Sequence, residues 1–337
     1  MLRVPYADLD RALHWAMLHL GLEGDRAALC ARLFAETTRD GVYTHGLNRF
    51  PRFAEMVANG SVDVLAAPTR VAGAAALARW NGHRGPGNLN AYAAMQRAIA
   101  LARLHGLGGV ALANTNHWMR GGSYGWLAAD SGVFAICWTN TLANLPAWGT
   151  PSPTLGNNPL VVAIPRSDGA HVVLDMAISQ FSYGTISAYA ARGEQLPVPG
   201  GFDAAGNLTT DPADLEASQR ALPIGYWKGS GLSLVLDMLA AMLSGGLATH
   251  QLPRDSTHES GLSQVFLAID PSSFADRPDL DRIANGILDS LHAAVAIDPA
   301  RPVRYPGQQT LHLREENLRL GVPVDSNLWA TLLALSS

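Results

Sequence analysis

Apolar positions recur with a helical period at both ends of the chain and as short strand-like runs between them. Leu9, Leu13, Ala16, Met17 and Leu20 share one face of a helix over residues 8 to 20, leaving His14 and His19 outside the stripe. A second helix runs from Asp25, in N-cap position, through Leu29, Leu33 and Phe34 to about Arg39. Phe53, Met56 and Val57 mark a third, stopped by Asn59 and Gly60. Helical patterning returns over Thr310 to Leu320, ended by Gly321, and over Ser326 to Leu335.

The middle reads differently. A weak strand at Thr69 to Ala72 precedes the glycine-rich turn Gly82 to Asn88 and a long helix from Leu89 to His105. Apolar runs follow at Gly109 to Ala113, Val133 to Thr139, Leu160 to Ile164, Val172 to Met176 and Val265 to Ile269. Such near-continuous runs suit a sheet covered on both faces, so the fold class is α/β. A helix from Gly231 to Leu243 is expected to turn Leu232, Val235, Leu236, Leu239 and Met242 inward, with no evident partner for Asp237. Another, from Pro278 to Leu291, carries Leu280, Ile283, Ile287 and Leu288. Residues 195 to 220 are rich in Gly, Pro and Asp and are expected to form a long surface loop or lid.

Composition narrows the function classes. With 337 residues, 48% hydrophobic and 15% charged, the chain can bury a large core, and two domains are expected. A net charge of -4 without a basic run argues against nucleic acid, and no apolar run reaches membrane-span length. The first residues lack a signal-peptide pattern, and Cys30 and Cys137 read as reduced core thiols, so a cytoplasmic protein without a metal centre is expected. The 24 basic residues include one lysine, Lys228. Retaining a single ammonium suggests a point-charge contact to a phosphate or carboxylate; chance retention is the plain alternative.

Four segments carry candidate chemistry. GVYTHGLNRF (Gly41 to Phe50) offers His45 as a proton carrier near neutral pH and Arg49, four residues on, as a carboxylate clamp. In a helix or tight turn the two would face one space; otherwise His45 is a solvated loop residue. NHWMRGGSYG (Asn116 to Gly125) follows a strand and supplies His117 and Arg120, a second acid-base group and a second anion ligand, or a structural His-Trp pair. It also contains Gly121, Ser123 and Gly125 in the G-x-S-x-G spacing of serine hydrolases. The strand ends too early for a nucleophile elbow, and only Asp237, Asp255 and His258 could complete a triad. LDMAISQFSYG (Leu174 to Gly184) offers small residues at a strand end, and YWKGSG (Tyr226 to Gly231) sets Trp227 and Lys228 at a helix N-terminus that favours anions. The Gly82 to Asn88 turn does not satisfy G-x-G-x-x-G and reads as a plain turn.

GVYTHGLNRFPRF, NHWMRGGSYGW, ICWTN, FSYG, GFDAAGNLT, LPIGYWKGSG and LVLDM together resemble the malate/L-lactate dehydrogenase-like family of NAD(P)-dependent 2-oxo acid reductases, over almost the whole chain. The resemblance implies a non-Rossmann NAD(P)-binding fold. A mixed-sheet domain (67–309) would hold cofactor and substrate, and a helical domain would combine 1–66 with the 310–337 tail. It implies His45 as proton donor, with His117 acid-base in sister enzymes. On the reading of the residues themselves, Arg49, placed with the catalytic histidines, or Arg120 would orient the substrate carboxylate. NADH, or NADPH, would be held by Thr141, Leu174, Asp175, Met176, Ala177, Ile178, Ser179, Gln180, Trp227, Lys228, Gly307, Gln308 and Gln309. Gln308 and Gln309 depart from the family's pattern, which has a histidine and an acidic residue there. The implied protein is a homodimer with its cofactor near the subunit boundary, reducing a small anionic 2-oxo or 2,3-dioxo sugar acid. Malate, lactate, ureidoglycolate or a cyclic imino acid are the alternative substrates. Outside that chemistry stand a serine hydrolase using Ser123 and a sugar-acid binding protein without turnover.

Overall fold

The computed structural model describes residues 2–335. β1 (Leu2–Val4) leads into α1 (Tyr6–His19), α2 (Gly24–Arg39) and α3 (Phe50–Ala58). β2 (Thr69–Ala74), β3 (Leu77–Asn81), α4 (Gly87–His105), β4 (Leu107–Asn116), α5 (Gly122–Asp130) and β5 (Phe134–Thr139) follow. Next come β6 (Leu145–Pro146), β7 (Pro153–Leu155), β8 (Leu160–Ile164), β9 (Val172–Met176), α6 (Tyr183–Arg192), β10 (Gly201–Phe202), β11 (Leu208–Thr209) and α7 (Pro212–Ser218). The chain closes with α8 (Trp227–Ser244), β12 (Ser260–Ile269), α9 (Arg277–His292), α10 (Gln308–Leu320), β13 (Val322–Val324) and α11 (Ser326–Leu335).

Seven strands form one mixed sheet in the order β2-β3-β4-β12-β5-β8-β9, in which only β3 and β4 run parallel. The neighbouring structural solution is an α/β layer: α4 and α5 bury Ala91, Met95, Ala98, Tyr124 and Ala128 with Val110, Leu112, Cys137, Val161 and Phe266 on one face. On the other face α8 contributes Leu236 and Ala240 to a cluster with Trp138, Ile178 and Val265. At the chain ends β1 pairs antiparallel with β13, and Leu9, Leu13, Met17, Phe34, Phe50 and Phe53 share one core with Val322, Val324 and Leu332. Burying each such side chain contributes about 1.5–3 kcal/mol, enough to tie the two ends together.

Several expectations are corrected. Asp25 lies in the first turn of α2 and Glu23 precedes it as the cap. β3 was not legible as a strand, and residues 195 to 220 hold the β10–β11 pair and α7 instead of an open loop. There Leu215 and Leu196 pack on Ile186 of α6. α8 starts four residues earlier than its apolar pattern suggests, and its orientation is largely reversed. Val235 (49% exposed), Leu239 (41%) and Met242 (69%) face outward, while Ser233, Asp237 and Ala240 are buried. The inward polar groups have defined partners. Asn158 Nδ2 donates to Ser233 Oγ (3.0 Å), and Asp237 Oδ1 accepts from Asn140 Nδ2 and the Thr249 N–H (both 2.9 Å). In α9 likewise only Leu288 is buried, and Ile283 and Ile287 are exposed. Among the described residues no helix is long and apolar enough to cross a membrane.

Candidate active site

His45 is set by what lies on either side of it. α2 ends at Asp40, and Gly41 takes a left-handed φ of +82° that reverses the chain. Two 3₁₀ turns follow, Tyr43–His45 and Leu47–Arg49. Between them Gly46 passes so close to α2 that a Cβ would lie 2.3 Å from Thr38 Oγ1. The Thr38 hydroxyl donates to the Phe34 carbonyl (2.8 Å) and accepts the Leu47 N–H (2.8 Å). Leu47 and Phe50 then plug into the core, where Phe34 meets Phe50 edge-on at 6.1 Å. With both flanks anchored, Tyr43, Thr44 and His45 line a cavity of about 470 Å³.

The helical spacing expected for His45 and Arg49 does not form, because Gly46 (φ -95°, ψ -130°) breaks it. Arg49 is not among the cavity's lining residues; its Nη2 donates to Glu259 Oε2 at 2.8 Å.

The opposite histidine belongs to the sheet. β4 delivers Asn116, and the first turn of α4 abuts it: a Cβ on Gly87 would meet Asn116 O at 2.2 Å and His117 O at 2.3 Å. The Gly82 to Asn88 stretch thus permits close approach at the site's edge. Met119 takes a left-handed φ of +63° and donates its N–H to His117 Nδ1 at 3.0 Å. The His45 and His117 rings stack at 5.7 Å between centroids, 18° from parallel. Burial, together with Arg49 and Arg120, lowers His45 to about 4; burial, Arg49, His45 and Arg52 hold His117 well below its usual range.

One carboxylate joins the walls. Buried Asp40 accepts from Arg120 Nη1 (2.7 Å), from Arg39 Nε (2.9 Å) and from both Nε (2.9 Å) and Nη2 (2.7 Å) of Arg314. Burial pushes Asp40 upward, but the Arg314 hydrogen bonds and the charges of Arg120 and Arg39 outweigh it and bring the group down to about 2. Arg120 lines the cavity, and its buried Nε has no protein partner. Asp175 accepts the Gly122 N–H (2.7 Å) and opens onto the same space. Enclosing protein raises its pKa, against the opposing pull of Arg120.

Thr141, Asn157 and Ala177 line the cavity as well, and Thr141 Oγ1 donates to Asn157 Oδ1 at 3.1 Å. Leu174, Met176, Ile178, Ser179 and Gln180 are not lining residues, but their segment links the site to its flanks. Val173 N–H donates to Pro306 O (2.9 Å), Ile224 N–H to Ile178 O (2.9 Å) and Gln180 N–H to Leu222 O (2.7 Å). Buried Ser179 Oγ has no partner. Trp227 and Lys228 are exposed at the start of α8, outside this cavity. Gly307 opens α10 against the His171 carbonyl and Val173, and Gln308 and Gln309 line a separate cavity of about 660 Å³ with His292, Arg304 and His312. Six of the seventeen expected residues, His45, His117, Arg120, Thr141, Asp175 and Ala177, therefore line this cavity, and the Trp227–Lys228 and Gly307–Gln309 groups lie outside it.

α6 forms the facing wall with Ser182, Thr185, Tyr189 and Arg192, none of which was singled out from sequence. The FSYG motif and the Ser182 N-cap, whose Oγ accepts the Thr185 N–H (3.1 Å), were the available signal. The hydrolase reading fails on geometry. Ser123 sits in the first turn of α5 beside a second cavity whose lining contains no histidine. Asp237 is occupied by Asn140 and Thr249, and Asp255 pairs with His258 on an exposed turn.

Comparison with known proteins agrees with this architecture. The family model described as malate/L-lactate dehydrogenase matches residues 4–333. A 2,3-diketo-L-gulonate reductase of Shigella boydii serotype 4 (strain Sb227) is 45% identical over 334 residues, 99% of this chain and 100% of the relative. Among solved structures, sulfolactate dehydrogenase from Methanocaldococcus jannaschii superposes with a TM-score of 0.91 at 25% identity, covering 99% of this chain and 96% of that one. The delta1-piperideine-2-carboxylate reductase of Pseudomonas syringae pvar. tomato gives 0.89 at 26% identity, covering 99% and 100%.

Proposed function

We propose that this chain, which belongs to the malate/L-lactate dehydrogenase family, reduces a 2-oxo acid, with a 2,3-dioxo sugar acid of the 2,3-diketo-L-gulonate type as its substrate. The observation that carries the reading is the stack of two imidazoles over one cavity beside a buried guanidinium nitrogen without a partner. A cavity of about 470 Å³ suits a small ligand. Arg120, a lining residue, has a buried Nε without a protein partner, a polar group that a bound anion's charge can offset.

A nicotinamide cofactor, when bound, supplies the hydride. NADH is the form proposed, NADPH the alternative. Thr141 and the Leu174–Gln180 segment, including Asp175, Met176, Ala177, Ile178 and Ser179, would hold it, with Trp227, Lys228 and Gly307, Gln308 and Gln309 on its outer parts. Arg120, lining the cavity, would draw the substrate carboxylate by its charge. His45 protonates the oxygen that becomes a hydroxyl, and proton transfer of this kind contributes about 100- to 10,000-fold. Arg49, held by Glu259, acts on the histidines through its charge. In this reading 67–309 carries the cofactor and substrate, while 1–66 with the C-terminal helices presents His45.

The enzyme is read as cytoplasmic, and as a homodimer because α8 turns Leu234, Val235, Met238, Leu239 and Met242 to solvent, an apolar face suited to a second copy. Light scattering should give twice the 35.7 kDa chain mass; a monomer would remove the dimer. The reaction is tested by following NADH and NADPH oxidation against a panel of 2-oxo and 2,3-dioxo acids. Fastest NADH turnover with a 2,3-dioxo sugar acid is expected. Absence of turnover with every member would end the reductase reading.

A further inference from the structure

The two stacked imidazoles differ at their inner nitrogens. Met119 N–H donates to His117 Nδ1 at 3.0 Å. A backbone N–H can only donate, so that nitrogen keeps its lone pair and the ring's single proton lies on Nε2. A second proton would have to displace the Met119 bond. Met119 is not free to turn away. Its side chain is buried in the helical core; the Trp118 carbonyl before it accepts from Tyr124; and Arg120 after it is bound to Asp40. His45 Nδ1 instead meets the Thr44 hydroxyl at 3.0 Å. A hydroxyl donates or accepts, so it suits both the neutral ring and the imidazolium.

The charges around the pair point the same way. Arg49, Arg52 and the His45 ring act on His117, and Arg49 and Arg120 act on His45. Glu259 is taken up by Arg49 and Arg52, and Asp175 is bonded to the Gly122 N–H on another part of the wall. None of these offers His117 a carboxylate partner that would stabilise its charged form.

Resting on the reductase reading above, we infer that His117 is a tautomer-locked hydrogen-bond donor, not a second acid. Its Nε2–H binds a substrate oxygen adjacent to the one that His45 protonates. During reduction the hydride adds to the carbonyl carbon and the C–O π pair moves onto oxygen. The proton comes from Nε2 of the His45 imidazolium, the form disfavoured in the empty site and favoured by the negative charge that gathers on the substrate oxygen; the ring is left neutral, and the His117 N–H bond stays whole. Two donors side by side suit a substrate with neighbouring oxygens on C2 and C3, and this selects 2,3-dioxo or 2-oxo-3-hydroxy acids over pyruvate-like ones.

The lock is read directly in the unmodified protein labelled with ¹⁵N-histidine and ¹⁵N-methionine. Nitrogen NMR should show a scalar coupling across the Met119 N–H to His117 Nδ1 hydrogen bond. It should also show the Nε2–H tautomer without titration between about pH 5 and 8. An Nδ1–H tautomer, or an imidazolium in that range, overturns the inference. Kinetics supply a second readout. His117→Gln keeps an N–H donor and should lose no more than about tenfold in kcat, whereas His117→Leu should lose about 100- to 1,000-fold. Both should keep the wild-type pH profile, and disappearance of a limb in His117→Gln would make His117 a proton carrier after all. The NMR result needs no turnover, so it stands or falls separately from the reductase assignment.

Discussion

The two walls of the cavity hold their histidines by opposite means. His45 stands on a pair of 3₁₀ turns fixed mainly by side chains: the Thr38 hydroxyl, the Leu47 and Phe50 plugs, and the Thr44 hydroxyl at the ring itself. His117 is held by backbone: the end of β4, the close pass of Gly87, and the Met119 N–H. A hydroxyl partner adapts to a change of protonation, and a backbone partner does not. The difference teaches that two like residues whose ring centroids lie 5.7 Å apart can be set apart chemically by which part of the chain touches their far side.

Replacing His45 should have the largest effect. His45→Ala should leave NADH binding intact and lower turnover by about 100- to 10,000-fold. Near-normal turnover in that variant, measured by NADH oxidation, would erase the contrast between the walls. Next comes the residue that joins them. Asp40→Ala leaves Arg39, Arg120 and Arg314 without their shared carboxylate in a buried place, and removing one partner from such a group costs about 3–5 kcal/mol. Denaturant unfolding should show a loss of that order; a loss below 1 kcal/mol would mean that solvent or another carboxylate replaces Asp40. Gly46→Ala forces a methyl against Thr38 and should cost about 1–3 kcal/mol, with a larger fall in kcat than in NADH affinity, since only the His45 wall is displaced. An equal loss of both would show that the walls move together.

The smallest effect concerns pH. His45 is lowered to about 4 in the fold from an ordinary 6.5, so the unfolded chain binds its proton first as pH drops. Its contribution is present above pH 6.5 and is lost as pH falls towards 4. Asp40, lowered to about 2 from 3.8, contributes above 3.8 and loses that contribution as pH falls through 2. Tm should therefore decline on acidification from about pH 6.5, and His45→Gln should flatten the first part of that decline. Identical Tm profiles for the variant and the parent protein would show that His45 is not held neutral.

Local pattern was readable wherever one face of an element meets one core. β8, β9 and α11 match their apolar runs end to end, and Leu9, Leu13, Ala16 and Met17 of the α1 stripe are buried, with Leu20 half-buried just past the helix end. It misled where an element has two apolar interests. α8 has enough leucines for either face, and the polar contacts of Ser233 and Asp237 to Asn158 and Asn140 decide which side turns inward. Of the candidate site, the imidazoles and Arg120 stood out because few residue types do their chemistry. Arg49 was misplaced because Gly46 interrupts the spacing that would have aimed it into the cavity.

The order of residues alone established an α/β chain with helical ends, two chemically equipped loops and one isolated ammonium at a helix start, since period and residue type are local properties. Which arginine reaches the cavity, how α6 closes its far side, and which group meets the far nitrogen of each imidazole were settled only by the folded arrangement. Those outcomes depend on partners such as Glu259, Asp40 and the Met119 N–H, most of them brought to the site from distant parts of the chain.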